Sequence, residues 1–367
     1  VTNAPSHRRA LLGVALVALV VAGAVVGARY LSMSLPVVGH PYVRLYDPPR
    51  DRAEAYLVVG DGQAFAALAQ DPTLARPTVF RATANDAPDS AEAAYRAQRP
   101  LLGWLAWVAS GGQPGVVPAA MLALTIGSAA LLAVVAALLA GDLGRRVDAA
   151  PLVLLAPGAM VVLGWTGVEL LAAGLGLAGA ATWLAGRRGL AIALLVAAAL
   201  SRETLLVVPA ALAASELLGP RGARSSWRHL TPLALVPFAW AGWVLVVHAR
   251  LGSWPGDAGT ARIGLPFSSL MDAGQHWGPV DAVVLAVTVG LGVLAWRRLD
   301  RAWRWIIGAH GVLATTLGVE VLQTWVGFSR VLLPVTVLGI VALLPRAPAD
   351  REVPIRVPVT AGVVAAR

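Results

Sequence analysis

Asp61-Gly62-Gln63 lies in a long polar stretch between apolar segments, and Tyr95-Arg96-Ala97-Gln98-Arg99-Pro100 closes that stretch. A carboxylate and two guanidiniums at a bilayer surface suit one kind of chemistry: deprotonation of an acceptor hydroxyl while a lipid phosphate leaves. Asp61 would take the proton, and the Gln63 amide and Tyr95 would lie beside it in the same cavity. Arg96 and Arg99 are three apart, on one face of a helix. Guanidiniums pair two-pronged with phosphate oxygens, so the pair fits a phosphate clamp. Plainer roles fit the local sequence as well. Asp is a favoured helix N-cap, and a helical apolar pattern with Phe65 and Leu68 begins at Asp61. Arginines where a chain enters a membrane also snorkel to headgroups.

Other charges lie where charge is expensive. Arg202 and Glu203 occupy a short break between apolar runs, and Glu169 follows Gly164-Trp165-Thr166-Gly167. Charges at such depth are candidate functional groups, or pairs that close a hairpin. Arg330 and Glu320 flank the last apolar run. Arg330 fits a phosphate ligand or an interfacial anchor. Glu320 fits a structural pairing slightly better than an acceptor site. The six histidines are scattered without metal-ligand spacing, so His276 and His310 read as packing residues. With no cysteine, thiol and disulfide chemistry are excluded, and with no lysine there is no P-loop. Gly174-Leu175-Gly176 therefore reads as small-residue helix packing. Trp104, Trp254 and Trp277 are candidates for stacking on sugar rings.

The elements that must hold these residues are membrane helices. Of 367 residues, 57% are hydrophobic and 13% charged, and the mean hydropathy is +0.71. A soluble fold cannot hide that much apolar surface, so the composition predicts an all-α polytopic membrane protein. The net charge of +9 follows from membrane orientation and does not point to nucleic acid. About ten transmembrane helices are expected, near 10–29, 115–140, 150–165, 167–185, 189–201, 204–218, 231–249, 280–296, 303–321 and 329–345. The first reads as an uncleaved span, because Ala22-Gly23-Ala24 runs into further apolar residues and offers no convincing cleavage site. With both termini cytoplasmic, the inner segments carry 17 Arg against 6 acids, and the rest of the chain 12 Arg against 14 acids. Merging 189–218 into one helix would put the Arg221-to-Arg228 cluster outside, so two short helices are expected, with the Ser201-to-Thr204 turn buried in protein or lining a wet cavity.

Residues 1–345 then form one transmembrane domain, and 346–367 a cytoplasmic tail. The first extracytoplasmic loop, 31–99, is too long for a connector and should carry an interfacial helix from Asp61 to Gln70. Pro100 to Ser110 is apolar but too short to span. The second outer loop, 250–279, should carry another interfacial helix bearing Ile263, Leu265, Phe267, Leu270 and Met271.

Beyond single residues, the chain resembles bacterial members of the GT-C superfamily, integral-membrane glycosyltransferases that use polyprenyl-phosphate sugars. The resemblance rests on Asp61-Gly62-Gln63 with Phe65, on Asp71-Pro72, and on Tyr95 to Leu102 with Trp104. Ser201-Arg202-Glu203-Thr204 and Phe328-Ser329-Arg330-Val331-Leu332-Leu333-Pro334 add weaker matches. It implies a bacterial plasma-membrane enzyme moving a sugar from a polyprenyl-phosphate donor to a glycan or lipid acceptor on the outer face. Asp61 would be the general base. Arg96, Arg99, Arg202 and Arg330 would hold the donor phosphate, and Gln63, Tyr95, Glu169 and Glu203 would line the acceptor cavity. Many members pair two acids, whereas here the nearest to Asp61 are Glu54 and Asp71, so a divalent metal has no clear ligand set. Two other classes fit the same features: a non-catalytic binder of lipid carriers or assembly partner, and a transporter with broken helices.

Overall fold

The computed structural model describes residues 4–35, 45–46, 48–76, 90–219, 229–258 and 264–347. The Arg221-to-Arg228 cluster, Ile263 and the tail beyond 347 lie outside the described residues. Among the described residues the fold is all helical, with no strand. The first half comprises α1 (Ala4–Ser32), α2 (Arg52–Val58), α3 (Gly62–Gln70), α4 (Ser90–Ala97), α5 (Leu101–Ser110), α6 (Val117–Asp142), α7 (Pro157–Gly164), α8 (Glu169–Leu184) and α9 (Arg188–Ser201). The second half comprises α10 (Val207–Leu217), α11 (Leu235–Leu251), α12 (Ser268–Gly274), α13 (Pro279–Arg298), α14 (Arg301–Thr316), α15 (Val319–Leu322), α16 (Trp325–Val331) and α17 (Leu333–Leu343).

Four helical stretches are long and apolar enough to cross a membrane, namely α1, α6, Thr231–Leu251 and α13; bent pairs raise the number to six. Their outward faces are apolar: Leu12, Leu16 and Val20 on α1, Phe238 and Leu245 on α11, Val283 and Val287 on α13 are all exposed. Apolar surface of this extent, turned away from the core, is what a lipid-facing bundle presents.

Two expected spans are broken. Residues 150–165 form a 3-10 stretch, Val147–Leu155, bent by 67° from α7, and the last run bends by 71° between α16 and α17. Proline explains both. Pro151 lies inside the 3-10 stretch and Pro157 opens α7. Pro334 opens α17 and has no N–H to offer the Arg330 carbonyl. The short α9 and α10 flank a 3-10 turn, Glu203–Leu206, and Arg202 in that connection is buried, as the hydropathy pattern required. Leu205 and Leu195 pack on Gly176 and Gly179 of α8 so closely that a Cβ on either glycine would sit 2.7 Å and 2.8 Å from them, respectively.

Helix α3 lacks the exposed side expected of an interfacial helix. Gly62 to Ala69 are buried throughout. Five of its nine residues are Gly or Ala, so α2, α4, α5 and α6 close around it. α5 does keep an outward apolar face, with Trp107 and Val108 exposed, and Leu265, Phe267 and Met271 are exposed around α12. At the opposite end of the bundle, Arg145 and Arg298 donate to the Leu344 and Ala342 carbonyls at the end of α17. Positive charge there complements the helix dipole.

Candidate functional site

Asp61 stands at the N-cap position of α3, yet its side chain makes no capping bond. Asp51, by contrast, caps α2 through the Glu54 N–H. The Asp61 carboxylate instead accepts from Arg96 Nη1 at 2.6 Å. Two glycines set that orientation. Gly60 takes a φ of +83°, turning the chain against the Trp165 ring. Gly62 lies so close to the Leu57 carbonyl that a Cβ would sit 2.7 Å from its oxygen.

The arginine ladder extends from this point. Arg96 also donates to Glu92 at 3.1 Å, one turn earlier on α4. Arg99 donates to both oxygens of Glu203, at 2.7 Å and 2.6 Å, and to the Tyr95 hydroxyl at 2.5 Å. Its guanidinium also lies over the Tyr95 ring, 4.5 Å from the centroid. Arg202 pairs with Glu169 Oε1, and Arg330 reaches the same oxygen at 3.4 Å. Arg330 lies 5.7 Å from the Trp165 ring centroid, and Trp165 also walls a cleft of about 530 Å³ with Pro279, Val280, Trp325 and Val326. Segments from residue 61 to residue 330 thus converge on one polar cluster, in which four guanidiniums meet four carboxylates among the described residues.

The electrostatics follow from that convergence. Burial pushes the Asp61 carboxyl up, but Arg96, Arg330, Arg99 and Arg202 together pull it further down, so it stays well below the usual carboxylate range. Burial opposes the charge on Arg99, yet Glu203 and its hydrogen bonds hold its pKa well above the ordinary value. Buried polar atoms face the same region: Glu169 Oε2, Arg202 Nε, Thr166 Oγ1 and Ser329 Oγ have no hydrogen-bond partner among the described residues. Such atoms are costly without a water or ligand, which makes the cluster a candidate binding site and not only a structural clasp.

Seven of the charged residues singled out from the sequence come together here: Asp61, Arg96, Arg99, Glu169, Arg202, Glu203 and Arg330. Tyr95 joins through Arg99, and Gln63 is buried in the first turn of α3. Other candidates lie elsewhere. Glu54 is held by Arg50, and Asp71 ties the turn after α3 through the Ala75 and Arg76 N–H groups. Glu320 is exposed in the first turn of α15, and His310 is buried with Nδ1 on the Ile306 carbonyl. Trp104 donates to the Pro72 carbonyl, Trp277 to the Leu322 carbonyl, and Trp254 stacks on His248. Sequence reasoning missed Glu92, and it marked the Trp165-Thr166 segment without giving either side chain a role. The Glu92–Arg96 spacing of one helical turn was the available signal. Among the described residues no group of three His, Asp or Glu side chains is arranged to hold a metal ion.

No protein-family model matches the chain, and neither a curated protein nor a solved structure matches it.

Proposed function

We propose that the chain is a membrane glycosyltransferase that moves a sugar from a polyprenyl-phosphate donor to a hydroxyl acceptor at the outer face of a bacterial plasma membrane. One observation carries the reading: Asp61, whose side chain leaves its capping role, stands among four arginines drawn from three distant segments. In the proposed reaction the acceptor oxygen bonds to the anomeric carbon and its proton passes to Asp61. The bond from the anomeric carbon to the phosphate oxygen breaks, and the electron pair leaves with the polyprenyl phosphate. Attack from the face opposite the phosphate inverts the anomeric centre. The guanidiniums stabilise charge as it develops on the leaving phosphate, and the donor's apolar chain supplies binding energy from the membrane side. In this reading the chain crosses the membrane ten times with both termini inside, the two bent pairs and the short helices serving as spans packed around the cluster.

A second reading has its own observation. Each of the four arginines already faces a carboxylate, a balance that suits a lipid-carrier binder without turnover. The two readings separate in proteoliposomes holding the full chain, a polyprenyl-phosphate hexose panel and a membrane lipid and glycan extract. Release of free polyprenyl phosphate with appearance of a glycosylated product supports transfer. Donor retained intact on the protein supports the binder.

A further inference from the structure

An anion entering this cluster meets arginines that are already occupied, so it must displace a carboxylate. The three candidates for displacement differ. Glu203 holds Arg99 with both oxygens, and Arg99 has the Tyr95 hydroxyl besides. Glu169 holds Arg202 and Arg330 at once from a side chain only 2% exposed. Asp61 meets Arg96 through one oxygen, its side chain is 16% exposed, and it sits at the start of a helix whose backbone does not depend on it for a cap. Glu92 lies one turn away on the same helix as Arg96 and already accepts from its other terminal nitrogen. When Asp61 leaves, Arg96 keeps a carboxylate partner and stays in place.

We propose, building on the transfer reading above, that a lipid phosphate binds by exchange at Arg96: its oxygens replace the Asp61 carboxylate, and Asp61 is released to serve the acceptor hydroxyl. The order of events follows. Before the donor arrives, Asp61 is tied in an ion pair and is a poor proton acceptor. Once phosphate occupies the guanidiniums, their pull on Asp61 is spent on the ligand, and the carboxylate becomes basic where the hydroxyl must approach. Donor binding precedes activation of the acceptor, and Glu92 is a positioning residue for Arg96 in both states.

The exchange has a sign that simple catalysis does not. If Asp61 competes with phosphate for Arg96, removing its charge must tighten phosphate binding. The test uses the purified full chain in nanodiscs, titrated with farnesyl phosphate and separately with inorganic phosphate. Asp61→Asn is expected to bind farnesyl phosphate about tenfold more tightly than the native chain, the ratio set by losing a competitor for one charge-assisted hydrogen bond. The gain is expected to vanish in the Asp61→Asn/Arg96→Gln double variant relative to Arg96→Gln alone. Tightening for both probes assigns the site to the phosphate group itself, and tightening for farnesyl phosphate alone assigns it to a lipid headgroup. Equal or weaker binding in Asp61→Asn, or a gain that persists without Arg96, overturns the exchange while leaving the transfer reading in place. Absence of farnesyl phosphate binding to both the native chain and Asp61→Asn removes the transfer reading and the exchange with it.

Discussion

The Arg99–Glu203 pair joins the segment after α4 to the α9–α10 turn, and breaking it from either side gives a measurable signature. Arg99 is 3% exposed and Glu203 20%, and two charge-assisted bonds of 2.6 Å and 2.7 Å connect them. At about 4 Å between charges and an effective dielectric of about 20, the attraction is on the order of 4 kcal/mol. Removing one partner also strands the other charge away from water, and breaking a buried pair this way costs about 3–5 kcal/mol. Water reaches Glu203, so Arg99→Gln leaves a carboxylate only partly stranded and should cost less than Glu203→Gln, which strands the more deeply buried Arg99 beside the Tyr95 hydroxyl. Changing both residues to Gln removes both stranded charges, so the double loss should fall short of the sum of the two single losses, with a coupling of about 1–3 kcal/mol between the sites. Chemical unfolding of the purified full chain in detergent, followed by tryptophan fluorescence and circular dichroism, measures all four states. Additive single effects, or singles within about 0.5 kcal/mol of the native chain, would refute the claim that this pair is a buried clasp.

Three further outcomes follow from the same structure. Gly62→Ala places a Cβ 2.7 Å from the Leu57 carbonyl oxygen and should destabilise the fold by about 1–3 kcal/mol, read in the same unfolding assay. The Asp61 carboxyl is depressed below its ordinary value of 3.8, so its ion pair contributes fully above about pH 4 and is lost as pH falls toward the folded pKa. The stability of Asp61→Asn should therefore fall less steeply with acid below pH 4 than that of the native chain. A reporter fused after Gly219 should read cytoplasmic and one within 80–90 external, because arginine asymmetry sets orientation; the reverse labelling would remove the ten-crossing topology.

Apolar runs made most helices legible, since α1, α6, α11 and α13 are long and apolar enough to stand out in any window. The two bends were not, because hydropathy carries no direction, although Pro151, Pro157 and Pro334 marked where the helices had to break. Burial of α3 was hidden for a related reason. Its alanines look amphipathic in a window, but only the packed fold shows neighbours closing on its second face. At the cluster, residue type and depth were enough to select Arg202, Glu169 and Arg330. What local sequence left open was the role of Asp61, since an Asp before a helix is as good a cap as a base. The contact that draws its side chain away from the cap is Arg96, 35 residues away, which no local pattern reports. Trp165 could not be told from the other tryptophans, because its place beside Arg330 depends on the α7–α8 turn meeting α16.

The most direct test of the central claim compares donor binding and sugar transfer in one substitution. Asp61→Asn keeps the shape of the side chain and the cap position but cannot take a proton. In proteoliposomes charged with a panel of polyprenyl-phosphate sugars, the expected result is donor binding at least as tight as native and transfer slower by about 10²–10⁴. Native transfer rates in Asp61→Asn would contradict the account.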